Sequence, residues 1–114
     1  MDDKSLLRIN SLLKHIDEVL EDTENTTVDD FKESRLLLKS TCFSLSQIGE
    51  QMGKLEELLL ENYPDLPWKR ARGMRNFIIH DYERIDIEQV YSTVKNDLPS
   101  LKEAFEILRR GMLS

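Results

Sequence analysis

Apolar residues recur at three- and four-residue steps from near the start of the chain: Leu6, Ile9, Leu13, Ile16 and Leu20. That spacing draws one apolar stripe along a helix. Acidic residues then crowd in, and Asn25-Thr26-Thr27 breaks the pattern. Thr26 or Thr27 can cap a second helix, with Asp29 and Asp30 in its first turn favoured by the helix dipole. This second helix carries Phe31, Leu38, Phe43, Leu45 and Ile48. It is predicted to run to about Met52, with Gly53 as a stop or kink. Leu55, Leu58 and Leu59 begin a shorter amphipathic helix. Asn62-Tyr63-Pro64 ends it, because the residue before a proline is biased away from the helical region.

Pro67 opens a further helix, since the first helical position tolerates a missing N–H. The pattern extends it from about Pro67 to about Asp81. Glu83-Arg84-Ile85 makes a short connection, and Asp86 can cap the last helical segment. That segment holds Ile87, Val90, Tyr91 and Val94, then Leu101, Phe105 and Leu108. Pro99 should kink or divide it. No strand-like alternation of useful length, internal repeat or low-complexity run interrupts the pattern. The prediction is an all-α helical bundle of about five helices, mostly antiparallel because the connections are short. At 114 residues, one domain spanning 1–114 is expected.

Composition agrees. Glycine (4) and proline (3) are scarce, and the 39% hydrophobic fraction suffices for one core. The formal net charge is −6, so the average field repels phosphate, and any nucleic-acid role needs a local basic patch. Cys42 is the single cysteine, which rules out an internal disulfide and suits a reducing compartment. Met1-Asp2-Asp3-Lys4-Ser5 does not begin a secretory signal. No stretch approaches the roughly 20 apolar residues that span a bilayer. A cytoplasmic protein with no membrane partner is expected.

A basic patch exists. Between Pro67 and His80 stand Lys69, Arg70, Arg72 and Arg75, with no acid among them. Lys69 and Arg72 are candidates to hold RNA phosphate; ordinary solvation of a helix face explains the patch equally well. Asn76 and His80, four residues apart, would share a helix face. Arg75 lies about 100° round from Asn76, and Tyr82 returns close to the Arg75 stripe if the helix continues. These residue types suit phosphodiester cleavage. A histidine titrating near neutrality can move the proton of a ribose 2′-OH or of a leaving 5′-oxygen. An arginine can clamp the phosphate as charge builds. Asn76 can orient either, and the scheme requires no metal. Against this, a histidine near a helix end is often a dipole partner, and an Arg–Asn pair an interhelix contact.

Other residues point elsewhere. His15 sits on the charged side of the first helix. Cys42 lies in an apolar run and is expected in the core. Trp68 anchors the helix start. Glu56, Glu57 and Glu61 have no accompanying histidine and suggest a solvated face. No phosphate-binding glycine loop, CxxC pair, HExxH or GxSxG occurs, which argues against kinases, zinc enzymes and serine hydrolases.

The string Arg75-Asn76-x-x-x-His80-x-Tyr82 resembles the R-x4-H-x-Y signature of HEPN domains, in particular the HepT-like ribonuclease toxin family. The likeness extends to Ile48-Gly49-Glu50, to Tyr63-Pro64-Asp65-Leu66-Pro67-Trp68, to Gly73-Met74 and to Asp97-Leu98-Pro99-Ser100-Leu101, and so covers nearly the whole chain. The resemblance implies a helical homodimer with the two motifs meeting in a cleft at the interface. It implies a metal-independent endoribonuclease acting as the toxin of a toxin–antitoxin pair. The antitoxin would be a nucleotidyltransferase that transfers AMP from ATP to Tyr82. Arg75 and His80 would be the catalytic pair and Asn76 their support. The chain itself would need no cofactor, ATP being used by the partner. Asp81 and Glu83 beside the motif weaken the local attraction for RNA.

Two further readings stand beside this one. The chain could be a non-catalytic helical subunit that presents a substrate or nucleotide to a nucleotidyltransferase. It could also be a plain helical interaction protein whose Arg–His motif is structural.

Overall fold

A computed structural model describes residues 3–74 and 84–114. Helices α1 (Asp3–Asp22), α2 (Val28–Glu33), α3 (Arg35–Leu59), α4 (Trp68–Gly73), α5 (Ile87–Ser92) and α6 (Leu98–Leu113) follow one another, with a π-helical turn, Thr93–Asp97, joining α5 to α6. The described residues contain no strand, so the all-α expectation holds. No helix among them is long and apolar enough to cross a membrane.

The 25-residue α3 is the central rod. Such a helix is about 37 Å long at 1.5 Å per residue, which accounts for most of the molecule's 45 Å long dimension. It packs against α1, α2, α4 and α5, while α1 also packs against α6. Burial on two sides widens the stripe of α1: Leu12 and Val19 join Ile9, Leu13 and Ile16 in the core, and Leu6 and Leu20 are left half-buried. Leu45, Ile48, Met52 and Leu55 of α3 meet Val94, Leu98, Leu101 and Phe105 in one continuous cluster. Cys42 is fully buried there, and burial pushes its thiol up to about 11. Phe43, on the same helix, is instead 62% exposed.

Capping of α2 and α5 follows the local sequence. Thr27 caps α2 in a reciprocal capping box with Asp30: Thr27 Oγ1 accepts from the Asp30 N–H at 3.2 Å, and the Asp30 carboxylate accepts from the Thr27 N–H at 2.8 Å. Asp86 caps α5, accepting from the Gln89 N–H at 3.1 Å. At the end of α1, Lys95 Nζ reaches from the π turn to donate to the Thr23 carbonyl at 2.6 Å. A cation there meets the negative end of the helix dipole.

The boundaries of the second and third predicted helices differ from expectation. The break falls at Ser34 rather than Gly53, and α3 runs straight through Gly53 to Leu59. Ser34 adopts an extended conformation (φ −119°, ψ 102°), and its side chain accepts from the Leu37 N–H at 3.1 Å, so it caps α3. A mid-helix glycine costs about 1 kcal/mol, which the burial of Met52 and Leu55 on either side offsets. The segment begun by Leu55 is therefore the end of α3, not a separate helix. Pro99, expected to kink or divide the last segment, lies in the first turn of α6, where a π turn separates α6 from α5. The missing N–H and ring bulk of proline disturb the preceding turn, and here that turn is the wider π turn, in which the Leu98 N–H reaches the Thr93 carbonyl.

Candidate active site

The site is built from α4 outward. Pro67 stands just before Trp68, the first residue of α4. Trp68 is 3% exposed. Its ring meets Phe105 of α6 edge-on, with centroids 5.9 Å apart. Its indole Nε1–H donates to the Tyr63 carbonyl at 2.9 Å. A buried tryptophan whose N–H is satisfied fixes both the position and the rotation of a short helix. Met74, just beyond α4, is 1% exposed. The six-residue helix is thus pinned at both ends, with its basic residues between the pins.

Those basic residues meet different fates. Lys69 is exposed. Arg70 Nε lies 3.6 Å from Asp97 Oδ1, a charge contact across to the π turn. Arg72 is held in a fork by Glu56 of α3: Nε donates to Oε2 at 3.0 Å, and Nη2 donates to Oε1. Glu56 is more enclosed than a solvated face allows, its side chain being 16% exposed against 55% for Arg72. Both lie on an open groove of about 530 Å³, shared with Gly53, Glu57, Leu60 and Glu61. Carboxylates outnumber the guanidinium three to one there, so this groove repels phosphate.

Arg75, Asn76, His80, Asp81, Tyr82 and Glu83 lie outside the described residues. So do the expected continuation of the helix to Asp81 and the shared face of Asn76 and His80. Description resumes at Arg84; Ile85 and Ile87 pack against the core and Asp86 caps α5. His15 lies away from α4, on α1, 4.0 Å from Glu18. Among the described residues no group of His, Cys, Asp and Glu is placed to hold a metal ion.

Glu56 and Asp97 were not legible as partners of the basic helix. Glu56 precedes Arg72 by 16 residues, and Asp97 follows Arg70 by 27. No local periodicity links such positions.

An all-α bundle that leads a basic helix into an Arg-x4-His string defines a HEPN-type domain. Residues 12–108 match the family described as Ribonuclease HepT-like, and the chain belongs to that family. It is 35% identical over 102 residues to "Probable ribonuclease HepT" of Thermococcus cleftensis, covering 86% of this chain and 93% of that one. It is 30% identical over 95 residues to "Putative RNase MJ1216" of Methanocaldococcus jannaschii, covering 83% of this chain and 78% of the other. A third similar protein, "Gamma-glutamylcyclotransferase and putative RNase MJ0434" of the same organism, is 35% identical over 101 residues, but these make up 45% of its length. No solved structure matches the chain.

Proposed function

We propose that the chain is a metal-independent endoribonuclease, the toxin half of a toxin–antitoxin pair, working as a single domain in the cytoplasm. The observation that carries this is the family match over residues 12–108, which contains the whole string from Arg75 to Tyr82. His80 takes the proton of a ribose 2′-OH. The freed oxygen attacks the adjacent phosphorus, the bond to the 5′-oxygen breaks, and that oxygen leaves with a proton. The products are a 2′,3′-cyclic phosphate and a 5′-hydroxyl. Arg75 holds the phosphate as negative charge grows on its oxygens. Asn76 orients the imidazole. Lys69, exposed on the helix that leads to the motif, supplies charge to neighbouring phosphates, whereas Arg72, the other candidate of the basic patch, is already paired with Glu56.

Silencing follows from the tyrosine. A partner nucleotidyltransferase joins the Tyr82 oxygen to the α-phosphorus of ATP, and pyrophosphate leaves. The attached AMP brings a bulky anion to the motif that holds Arg75 and competes with RNA for it. Incubation with the partner and ATP is expected to add AMP to the wild-type chain and not to Tyr82→Phe, as read by intact-mass spectrometry. AMP on the Tyr82→Phe chain would move the modification elsewhere.

The working unit is a homodimer with the two motifs facing one cleft. Static light scattering at micromolar concentration should therefore give twice the 13.4 kDa chain mass. A monomer would remove the composite cleft.

The test of the whole proposal is cleavage of a defined RNA in excess EDTA, with the new ends identified. Wild type should cut and leave the cyclic phosphate. An inactive chain, once mass spectrometry shows Tyr82 unmodified, would favour a non-catalytic subunit that serves a nucleotidyltransferase.

A further inference from the structure

We propose that Glu56 and Arg72 act together as positioning residues for RNA cleavage, and that Arg72 is not an RNA ligand. The inference rests on the ribonuclease reading above. Arg72 sits three residues before Arg75, on the helix that delivers the chain to the motif. Its guanidinium already has a carboxylate in the planar, two-pronged geometry that arginine otherwise offers to a phosphate. The groove around it adds Glu57 and Glu61, so an incoming phosphate meets a surplus of negative charge as well as an occupied fork. Trp68 and Met74 fix the two ends of α4 to the core. Neither contact reaches α3 through a polar group; Glu56–Arg72 does, beside the Arg70–Asp97 charge contact to the π turn. Together these attachments fix both the helix and its rotation, and rotation sets the direction in which the chain continues to Arg75. Misplacing a reacting group by about 1 Å can cost roughly 100-fold in rate.

The two roles for Arg72 give opposite signatures. A positioning pair loses its effect when either member is removed, and removing both is no worse than removing one. An RNA-binding arginine shows its loss in KM and in the salt dependence, while removing its competitor Glu56 improves binding. The experiment compares wild type with Glu56→Gln, Arg72→Gln, the double variant, and the charge swap Glu56→Arg with Arg72→Glu. Rates are measured at saturating and limiting RNA, and amide hydrogen exchange is followed over residues 68–74 without RNA. Each single variant should lower kcat about 10-fold with KM within about twofold of wild type. The double variant should match the singles, the swap should recover most of the rate, and exchange over 68–74 should quicken in the singles.

A raised KM and shallower salt dependence for Arg72→Gln, with Glu56→Gln unchanged or tighter, would overturn the proposal and make Arg72 an RNA contact. Wild-type kcat in both single variants would also overturn it. If wild type itself cuts no RNA, the ribonuclease reading fails separately. Hydrogen exchange then still decides whether the pair fixes α4: unchanged exchange in both singles would reject that as well.

Discussion

Replacing His80 with alanine is expected to lower RNA cleavage by about 10²–10⁴-fold, the range for losing a general acid–base group. In the proposed scheme a 2′-OH, very weakly acidic by itself, attacks a phosphate and a 5′-oxygen departs. Without an imidazole both proton transfers fall to water. Arg75→Ala should cost about 10²–10³-fold by a different route, loss of charge stabilisation as the phosphate oxygens gain charge. The measurement is single-turnover cleavage in excess EDTA, with a thermal melt of each variant alongside. If His80→Ala melts normally and cleaves like wild type, the catalytic assignment is wrong.

The largest effect on stability should come from Trp68→Ala. The side chain is 3% exposed, lies edge-on to Phe105 and donates to the Tyr63 carbonyl. Truncating a buried aromatic to alanine costs about 3–5 kcal/mol through lost burial and the cavity left behind. Domains of this kind are stable by about 5–15 kcal/mol in total, so much of the margin would go. Trp68→Phe keeps most of the ring and loses the hydrogen bond, and should cost less, leaving the Tyr63 carbonyl without its indole donor. Urea unfolding should show the midpoint falling at an unchanged slope. The effect should extend to function, since Trp68 anchors the helix that leads to the motif. A Trp68→Ala chain within about 1 kcal/mol of wild type would contradict the core packing.

The features that the sequence announced are those whose physical cause is local. Thr26 or Thr27 could cap α2 by residue type, and Thr27 does; Asp86, ahead of an apolar run, caps α5. Trp68 after a proline, and Cys42 within an apolar run, went where such residues minimise exposed apolar surface. The motif string is likewise a matter of order along the chain, and it pointed to the family that the comparison over residues 12–108 establishes. Gly53 and Ser34 show the limit. Glycine weakens a helix and serine caps one, and local propensity placed the break at the glycine. Packing decided otherwise, because Met52 and Leu55, on either side of Gly53, are buried in the core.

By itself, then, the sequence determined the helical class, the family and two of the N-terminal caps, all of which arise from periodicity, side chains a few residues apart, or the order of residues in a motif. The tertiary structure alone decided that α3 would be one unbroken rod, that Phe43 would face solvent, and that Arg72 would be claimed by Glu56. Each depends on which surfaces are brought together. A carboxylate 16 residues away in sequence becomes the partner of an arginine only after two helices have packed, and the periodicity of either helix carries no information about the other.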